Sequence, residues 1–470
     1  MILNKKNISY SFQAFIGIVL VSLFAISCGT IQQAKQHINN ALESTGQNIA
    51  SDLITKGCVG IDTTSNIQNL TWRQFFSDTK LQILIDTALS RNTDLKQCRM
   101  RVEEMEAALK VAKLSFFPSL FFSPTGSWNK FDGNIVKSYD VPLTAQWQID
   151  VFGSLYNKKR SAQSAVEQSK DIVQAIQVQL ISNVASLYYQ LLMLDKEKQI
   201  LASTAVVWKE GVETQRALME AGQGTSAAVG QLEASYYNVQ TQQKDVETQI
   251  SQLENALCLL LAETPHSIDR SSLETFVYPS QIGVGVPLAL LNNRPDVRAV
   301  SRDIETAYFA NKEAFSNMFP NITLSGTAGW SNGEGIVNPG KILLNVVAGL
   351  TQPIFAHGSL IAQRKITKLK LEESKQLFIQ SVLNAGNEVN NALIVCQSAK
   401  DKSVLLRKQI ESLTSAYNAT RELMNHGSTT YLEVLTAQES LLSAQLGDVA
   451  NTYNGIQGLI DLYIALGGGY

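Results

Sequence analysis

The chain carries one stretch twice, as "RNTDLKQCRMRVEEMEAALKVAKLSFFPSLFFSPTGSW" at 91–128 and as "NRPDVRAVSRDIETAYFANKEAFSNMFPNITLSGTAGW" at 293–330. Aligned without a gap, the two copies share the residues Asp94/Asp296, Glu103/Glu305, Lys110/Lys312, Phe117-Pro118/Phe319-Pro320, Thr125/Thr327 and Trp128/Trp330. A second junction also recurs, as "WQIDVFGSL" at 147–155 and "LTQPIFAHGSL" at 350–360, which argues against coincidence. A period of about 200 residues is too long for a solenoid and indicates a duplicated domain half.

Each copy predicts the same order of elements. A helical segment, roughly 80–115 and 293–317, ends at Phe-Pro, and two runs of alternating apolar and polar residues follow. The loops between the runs are polar and rich in glycine: "NKFDGNIVKS" at 129–138 and "SNGEGIVNPGK" at 331–341. Strict alternation predicts strands that are apolar on one face and wet on the other.

These strands have the length of membrane-crossing strands, about 10 residues. Trp128, Trp147 and Trp330 lie at or near strand ends, where membrane proteins place interfacial aromatic residues. Four strands cannot close a barrel, and an open edge in hydrocarbon leaves backbone groups unpaired. Strands that span a bilayer would therefore need further copies of the chain, and the arithmetic alone allows eight strands or twelve. The alternative is a water-soluble four-stranded sheet packed on helices.

Long helices are predicted after the strands, because no proline occurs between Pro142 and Pro265 or after Pro353. The stretch from Leu155 to about Glu220 is compatible with one helix of roughly 100 Å. The final segment has an apolar heptad seam typical of coiled coils: Leu435, Leu442, Val449, Ile456 and Tyr463.

Two glycine-centred turns interrupt the helical segments. They are "MEAGQGTS" at 219–226, with Gly222, Gly224 and Thr225, and the start of "MNHGSTTYLEVLTAQ" at 424–438, with Gly427, Ser428 and Thr429. Serine and threonine at these points are suited to capping the next helix. We expect the turns to be the far tips of the helices.

The N-terminus predicts export. Lys5 and Lys6 precede an apolar run that is too short to span a bilayer, and small residues follow it, as in a secretory signal. Cys28 after Ser27 resembles a bacterial lipobox, which predicts removal of residues 1–27 and acylation of Cys28. The alternative is an ordinary signal peptide with an incidental cysteine.

The sequence offers no residues for an enzyme active site. It lacks the zinc-protease, nucleophile-elbow and phosphate-loop motifs, and its cysteines have no metal-site or redox spacing. We expect neither a catalytic site nor a cofactor nor a metal site. A formal charge of −2 without a basic block makes nucleic acid a poor partner.

The motifs "WQIDVFGSL", "LNNRPDVRAVS", "FPNITLSGTAGW" and the terminal "ALGGGY", with the two glycine turns, resemble the TolC-like outer-membrane efflux factors. The lipobox-like Cys28 is similar to the acylated OprM/NodT-like branch. The resemblance implies an α+β homotrimer in which twelve strands, four per chain, close one outer-membrane β-barrel. A long α-helical barrel with a small mixed equatorial belt continues it into the periplasm.

The same resemblance implies the exit duct of a tripartite efflux system, which conducts small molecules passively. Its partners are a periplasmic adaptor at the helical tips, an inner-membrane pump of RND type, and outer-membrane lipid. A conduit for type I protein secretion and a non-conducting structural lipoprotein remain alternatives. The implied organisation is an anchored segment and part of the belt at 28–80, a first repeat at 81–264, a connector at 265–292 and a second repeat at 293–470.

The resemblance also implies a periplasmic gate after the second turn. Glu433 stands at the first of two positions where the family has acids, and Thr436 stands at the second. Leu432 is the neighbouring apolar plug. Glu439 falls four residues after Leu435 on the apolar seam, where a charge is costly unless paired, and we expect it to make an interhelical polar contact.

Overall fold

The computed structural model describes residues 71–275, 294–332, 341–426 and 428–468. Within these ranges the chain has eight α-helices and five β-strands, which makes it an α+β protein. The elements are α1 Trp72–Phe75, α2 Thr79–Arg91, α3 Thr93–Leu114, β1 Ser119–Phe122, β2 Thr125–Phe131, β3 Asn134–Ile149, α4 Ser154–Glu220, α5 Ser226–Leu261, α6 Pro295–Ser316, β4 Asn321–Ser331, β5 Lys341–Thr351, α7 Ser359–Asn425 and α8 Tyr431–Ala465.

Several predictions from the sequence fall outside the described residues. They are the signal at 1–27, Cys28 and its acylation, the anchored segment up to residue 70, most of the connector, the centre of the loop at 331–341, and Gly427. Among the helices that are described, none combines the length and apolar character that crossing a membrane requires.

The chain divides into two compact units. The first contains Arg99–Ile172 and Asp296–Ser381, and it includes all five strands. The second contains residues 71–98 together with Val173–Pro295 and Val382–Tyr470. Each unit takes segments from both sequence repeats, and the predicted domain boundaries stay a prediction.

The first two strand segments form one interrupted strand. β1 and β2 both pair antiparallel with β3, and Phe122↔Leu143 and Thr125↔Asp140 belong to one continuous register. Between them, Ser123 donates its backbone N–H to the Pro142 carbonyl at 3.4 Å. Pro142 has no N–H to return, so the ladder breaks there. The five segments therefore make four strands, as the sequence predicts.

The hairpin between β2 and β3 is tighter than the predicted loop at 129–138. Only Asp132 and Gly133 form the turn, with φ of 48° and 82°. Two consecutive positive φ angles define the type I′ turn, whose twist matches that of paired strands. Residues on both sides of the turn consequently belong to the ladder, and β3 reaches 16 residues.

The two repeats meet in the centre of the sheet. β3 pairs antiparallel with β4 from Asp140↔Ser331 to Ile149↔Ile322, and β4 pairs with β5. At Gly329 a Cβ would lie 2.2 Å from the Val141 carbonyl oxygen and 2.8 Å from the Pro142 Cα. Only glycine fits such a close approach of two backbones.

The order of the sheet leaves both of its edges free within the described residues. The strand made of β1 and β2 lies at one edge and β5 at the other. The two edges present the unpaired backbone donors and acceptors that the outer side of any edge strand carries.

The second unit has a helical core. Fully buried residues of α4, α5 and α8, such as Tyr188, Leu191, Leu257 and Ile460, form one cluster with α2. The predicted seam of α8 is confirmed, because Leu435, Leu442, Val449, Ile456 and Tyr463 are all buried. Cys98, Cys258 and Cys396 are buried free thiols.

Arg270 holds the described part of the connector against two helices. Its Nε and Nη2 donate to the Asp195 carboxylate of α4 at 2.5 Å and 2.9 Å, and its Nη1 donates to Glu254 of α5 at 2.5 Å. These ion pairs are largely removed from solvent on the arginine side. Bidentate contacts of this kind fix the geometry as well as the charge.

Each helix break has a local cause. Asn92 separates α2 from α3, because its backbone is extended (φ −52°, ψ 131°) while its side chain accepts the N–H of Leu95. At the first glycine turn Gly222 has a φ of 75°, and Thr225 caps α5 by accepting the N–H of Ala228 at 3.2 Å. At the second turn Thr430 occupies the N-cap of α8 without a capping side-chain hydrogen bond.

We predict that Gly329→Ala destabilises the sheet. The new methyl group forces two strands apart, a kind of overpacking that typically costs ~1–3 kcal/mol. The matched control is Gly326→Ala, whose Cβ meets only the Asn345 carbonyl oxygen at 4.0 Å. Thermal unfolding of the detergent-solubilised protein should show a lower midpoint for the first variant only, and equal midpoints would contradict the explanation.

We also predict that Thr225→Ala loosens the first turn of α5, since loss of an N-cap costs ~1 kcal/mol. Thr430→Ala is the control, because Thr430 makes no capping bond. Hydrogen–deuterium exchange of the backbone amides should accelerate by about fivefold after Thr225. A similar change after residue 430 in the control would show that the cap is not the cause.

Candidate functional site

The sheet has one apolar and one polar face. Residues paired across neighbouring strands point to the same face, so the registers assign every side chain. The apolar face carries Leu120, Phe122, Trp128, Val141, Leu143, Trp147, Ile149, Leu324, Trp330, Ile342, Leu344, Val346 and Leu350. Leu344 is 78% exposed and Val346 77%. A continuous exposed apolar surface of this kind is typical of contact with lipid or protein.

The three tryptophans singled out by the sequence all lie on this apolar face. Trp128 is opposite Lys137, Trp147 opposite Leu324, and Trp330 opposite Val141. Trp147 also donates its Nε1–H to the Phe116 carbonyl at 2.9 Å, just before β1. An aromatic ring on apolar surface with its N–H bound to a polar group is the usual arrangement at a membrane interface.

The opposite face is lined mainly by hydroxyl and amide groups. Ser127 and Ser138 share a hydrogen bond of 2.6 Å, Thr144 and Thr327 one of 3.3 Å, and Gln148 donates to Asn321 at 2.8 Å. This face is suited to water and to polar solutes.

The first tip turn is held by a charge pair as well as by its cap. Arg216, near the end of α4, forms an ion pair with Glu233 of α5. Gly224 lies so close to the backbone of Met219 that a Cβ would be 2.9 Å from its N atom. The turn therefore joins two antiparallel helices by contacts that do not depend on any other chain.

The second tip turn contains a buried hydroxyl. Ser428 donates its backbone N–H to the Leu423 carbonyl at 2.8 Å, which closes the end of α7. The Thr429 Oγ1 is buried and has no hydrogen-bond partner among the residues that the structure describes.

The predicted gate residues are exposed at the start of α8. Leu432, 55% exposed, and Thr436 and Glu439, which are exposed as well, follow the spacing of one helix face, and Val434, Leu435 and Gln438 are buried behind them. Glu433 is exposed in the first helical turn, where the helix dipole favours a carboxylate. Side chains with this exposure are free to face other copies of the chain.

Glu439 lies beside the apolar seam rather than within it. Its side chain is exposed, and its Oε1 accepts a hydrogen bond from Ser235 of α5 at 3.3 Å. The buried polar residue next to it is Gln438. The role of Glu439 at a gate stays a prediction.

An aromatic cluster at the start of α8 was not predicted from the sequence. Trp208, 2% exposed, packs with Val212, Leu232 and Leu435, and Tyr431 joins them from the start of α8. The Tyr431 hydroxyl is so close to Gly211 that a Cβ there would be 2.7 Å away. Burial raises the pKa of Tyr431 to about 12, which keeps the phenol neutral. The cluster packs the start of α8 against α4 and α5.

Within the described ranges, no cluster of His, Cys, Asp or Glu side chains has the composition of a metal site. The polar sheet face presents hydroxyl and amide groups, and the start of α8 presents the exposed side chains of Leu432, Glu433 and Thr436. The sheet can contact lipid with its apolar face and solutes with its polar face.

Comparison with known proteins identifies the family. The family model of the outer membrane efflux protein matches residues 84–263 and 286–468. The chain is 26% identical over 419 residues to the cation efflux system protein CusC of Escherichia coli K12, covering 87% of this chain and 91% of CusC. It is 25% identical over 409 residues to the solvent efflux pump outer membrane protein SrpC of Pseudomonas putida, covering 85% and 87%.

Solved structures agree with this result. A CusC crystal structure superposes with a TM-score of 0.80 at 25% identity, over 88% of this chain and 98% of CusC. The open state of the Neisseria gonorrhoeae MtrE outer membrane channel gives 0.80 at 25%, over 88% and 94%.

Members of the family are efflux channels that work in tripartite systems with an adaptor and an inner-membrane pump, and they form trimers. The predicted α+β fold class of the trimeric efflux channels, the predicted efflux function and the outer-membrane location are confirmed. The chain belongs to the outer membrane efflux protein family.

Proposed function

We propose that three copies of this chain form the exit duct of a tripartite efflux system, through which small molecules pass from the periplasm to the exterior without an energy source in the duct itself. The observation that carries the proposal is the sheet: one face is apolar and exposed, the other is mainly polar, and neither edge strand has a further partner among the described residues. Such a sheet is one segment of a barrel wall.

The number of copies follows from closure. Each chain supplies four strands, whereas the smallest membrane barrels have about eight. Pairing the β5 edge of one copy with the β1–β2 edge of the next satisfies the open backbone groups, which would otherwise cost several kcal/mol each in hydrocarbon. Three copies give the twelve strands that the trimeric family implies. The polar face then lines the lumen, and Trp128, Trp147 and Trp330 face lipid.

The tips and the N-terminus supply the remaining contacts. We place adaptor docking at the two glycine turns, because both are closed by contacts within the chain. The first has its own cap and ion pair, and the second is closed by the hydrogen bond from the Ser428 N–H to the Leu423 carbonyl. The inner-membrane pump is proposed to be of the RND type, and Cys28 is proposed to carry the lipid anchor. Curated relatives are named for cations and for solvents, so the cargo is stated only as a small molecule.

The gate is proposed to lie at the start of α8. Three copies of Glu433 around one axis repel each other electrostatically, which favours the capture of a cation. Leu432 adds an apolar constriction, and Thr436 continues the same helix face. The aromatic cluster of Trp208 and Tyr431 holds the first turn of α8 in place, so opening requires α8 to move with its neighbours or to leave the cluster.

Single-channel recording in planar bilayers tests the function. The purified chain should run as a trimer and should produce discrete conductance steps. A stable monomer, or a trimer that stays electrically silent even with its gate residues substituted, would favour a structural lipoprotein instead. Translocation of an unfolded polypeptide through the open duct would support protein secretion.

We predict that Glu433→Ala increases the open probability and weakens the preference for cations, because it removes a ring of three carboxylates from the constriction. The matched control is Glu411→Ala, which removes another exposed glutamate, from α7. Reversal potentials in asymmetric KCl measure the selectivity. An unchanged reversal potential in Glu433→Ala would exclude this residue from the narrowest point.

We predict that Glu439→Leu also raises the open probability, because the variant loses the hydrogen bond from Ser235. Ser235→Ala removes the same bond from the other side and should reproduce the effect. If Glu439→Leu leaves both conductance and trimer stability unchanged, Glu439 has no part in the gate.

A further inference from the structure

A basic cleft lies between the end of α3 and the start of α4. Four lysines and two glutamates line it, which gives a net charge of +2 in a chain whose formal charge is −2. Leu109 and Val166 form its apolar floor. The cleft therefore combines an apolar base with a cationic rim.

Three of the lysines are available for a ligand. Lys170 serves both glutamates, with its Nζ 3.3 Å from Glu106 and 4.0 Å from Glu167. In the part of the chain that the structure describes, no carboxylate lies within ion-pair distance of Lys110, Lys113 or Lys159. Unpaired cations that share one cleft repel each other, and an anion between them relieves the repulsion.

The cleft adjoins the apolar face of the sheet. The Lys159 Nζ lies 5.9 Å from the centre of the Phe116 ring, and the carbonyl of Phe116 accepts the Nε1–H of Trp147. Trp147 belongs to the apolar face, two residues before β3 ends at Ile149. A continuous path therefore leads from the cleft to the apolar face of the sheet, through Lys159, Phe116 and Trp147.

The second repeat contains a related contact of a cation with an aromatic ring, although the ring stands at another aligned position: Phe315 aligns with Lys113, and Met318 aligns with Phe116. Lys312 aligns with Lys110, and Arg364 occupies the position of Lys159 when "FGSL" is aligned with "HGSL". The Arg364 guanidinium lies 4.5 Å from the centre of the Phe315 ring, as Lys159 lies over Phe116. A cation over an aromatic ring next to the strands occurs in both halves of the chain.

We propose that this cleft binds the phosphate of an anionic phospholipid from the periplasmic leaflet of the outer membrane. Lys110, Lys113 and Lys159 contact the phosphate, and the lipid body lies against Phe116 and Trp147. The inference rests on the proposed function, because that function places the ends of the strands at the leaflet.

A lipid fits the cleft better than a free anion does. Lysine stems cover apolar surface while their heads reach polar groups, which is the behaviour of cationic residues at a membrane interface. An isolated phosphate ion would make no favourable contact with the apolar floor or with the neighbouring aromatic rings. The phosphate chemistry is shared by both ligands, so the experiment must separate them.

The test compares spin-labelled phosphatidylglycerol with spin-labelled phosphatidylcholine in phosphatidylcholine vesicles that contain the full-length trimer. Electron paramagnetic resonance measures the immobilised fraction of each lipid. The wild type should prefer phosphatidylglycerol, and each lysine removed by Lys110→Ala, Lys113→Ala or Lys159→Ala should lower the preference by about fivefold until none remains. The triple Lys→Arg variant keeps the charges and should keep the preference.

Two further controls make the result specific. The triple variant Lys209→Ala, Lys402→Ala and Lys408→Ala removes the same charge from exposed sites on α4 and α7 and should change nothing. Millimolar inorganic phosphate at constant ionic strength should not displace the lipid. If it displaces the lipid completely, or if the cleft and control variants lose the preference equally, the proposal is overturned.

Conductance of the same samples separates this proposal from the previous one. A wild type that conducts but shows no preference for phosphatidylglycerol refutes the lipid site alone. A trimer that shows the preference but never conducts supports the lipid site and refutes the duct.

Discussion

The structure depends on one constraint: backbone donors and acceptors in hydrocarbon must be paired. A single chain cannot meet it, because the β1–β2 strand and β5 are edges within the described sheet. The apolar face makes the constraint unavoidable, since side chains such as Leu344 and Val346 favour a place in lipid. Oligomerisation is therefore a condition for the fold in the membrane and not an addition to a finished protomer.

The internal repeat serves the same constraint. β3 of the first repeat pairs with β4 of the second along ten residue pairs, from Asp140↔Ser331 to Ile149↔Ile322. The β3–β4 pairing inside one chain thus satisfies backbone groups in the same way as the proposed pairing between neighbouring chains. Gly329 lets the two repeats approach closely enough for this pairing.

The elements that sequence can predict are those whose signal is local. Alternation in strands has a period of two, so the apolar and polar faces of β3 and β4 follow from the sequence alone. The seven-residue spacing of apolar residues in α8 likewise predicts its buried seam. The cluster of Trp208 with Tyr431 could not be predicted, because it joins three helices by contacts between residues far apart in the chain. The narrow Asp132–Gly133 hairpin was missed for another reason: the polar residues around it resemble a loop, although Asp-Gly is itself a strong turn signal.

The break between β1 and β2 affects how readily unassembled protomers can aggregate. Backbone amides of an edge strand point alternately inward and outward. Ser123 donates inward to Pro142, so Pro124 sits where an outward donor is missing. The edge is thereby divided into short stretches of four and seven residues. Such short stretches are a poor template for the misaligned pairing of protomers before the trimer forms. A completed ring, with many bonds formed at once, tolerates the one that is absent.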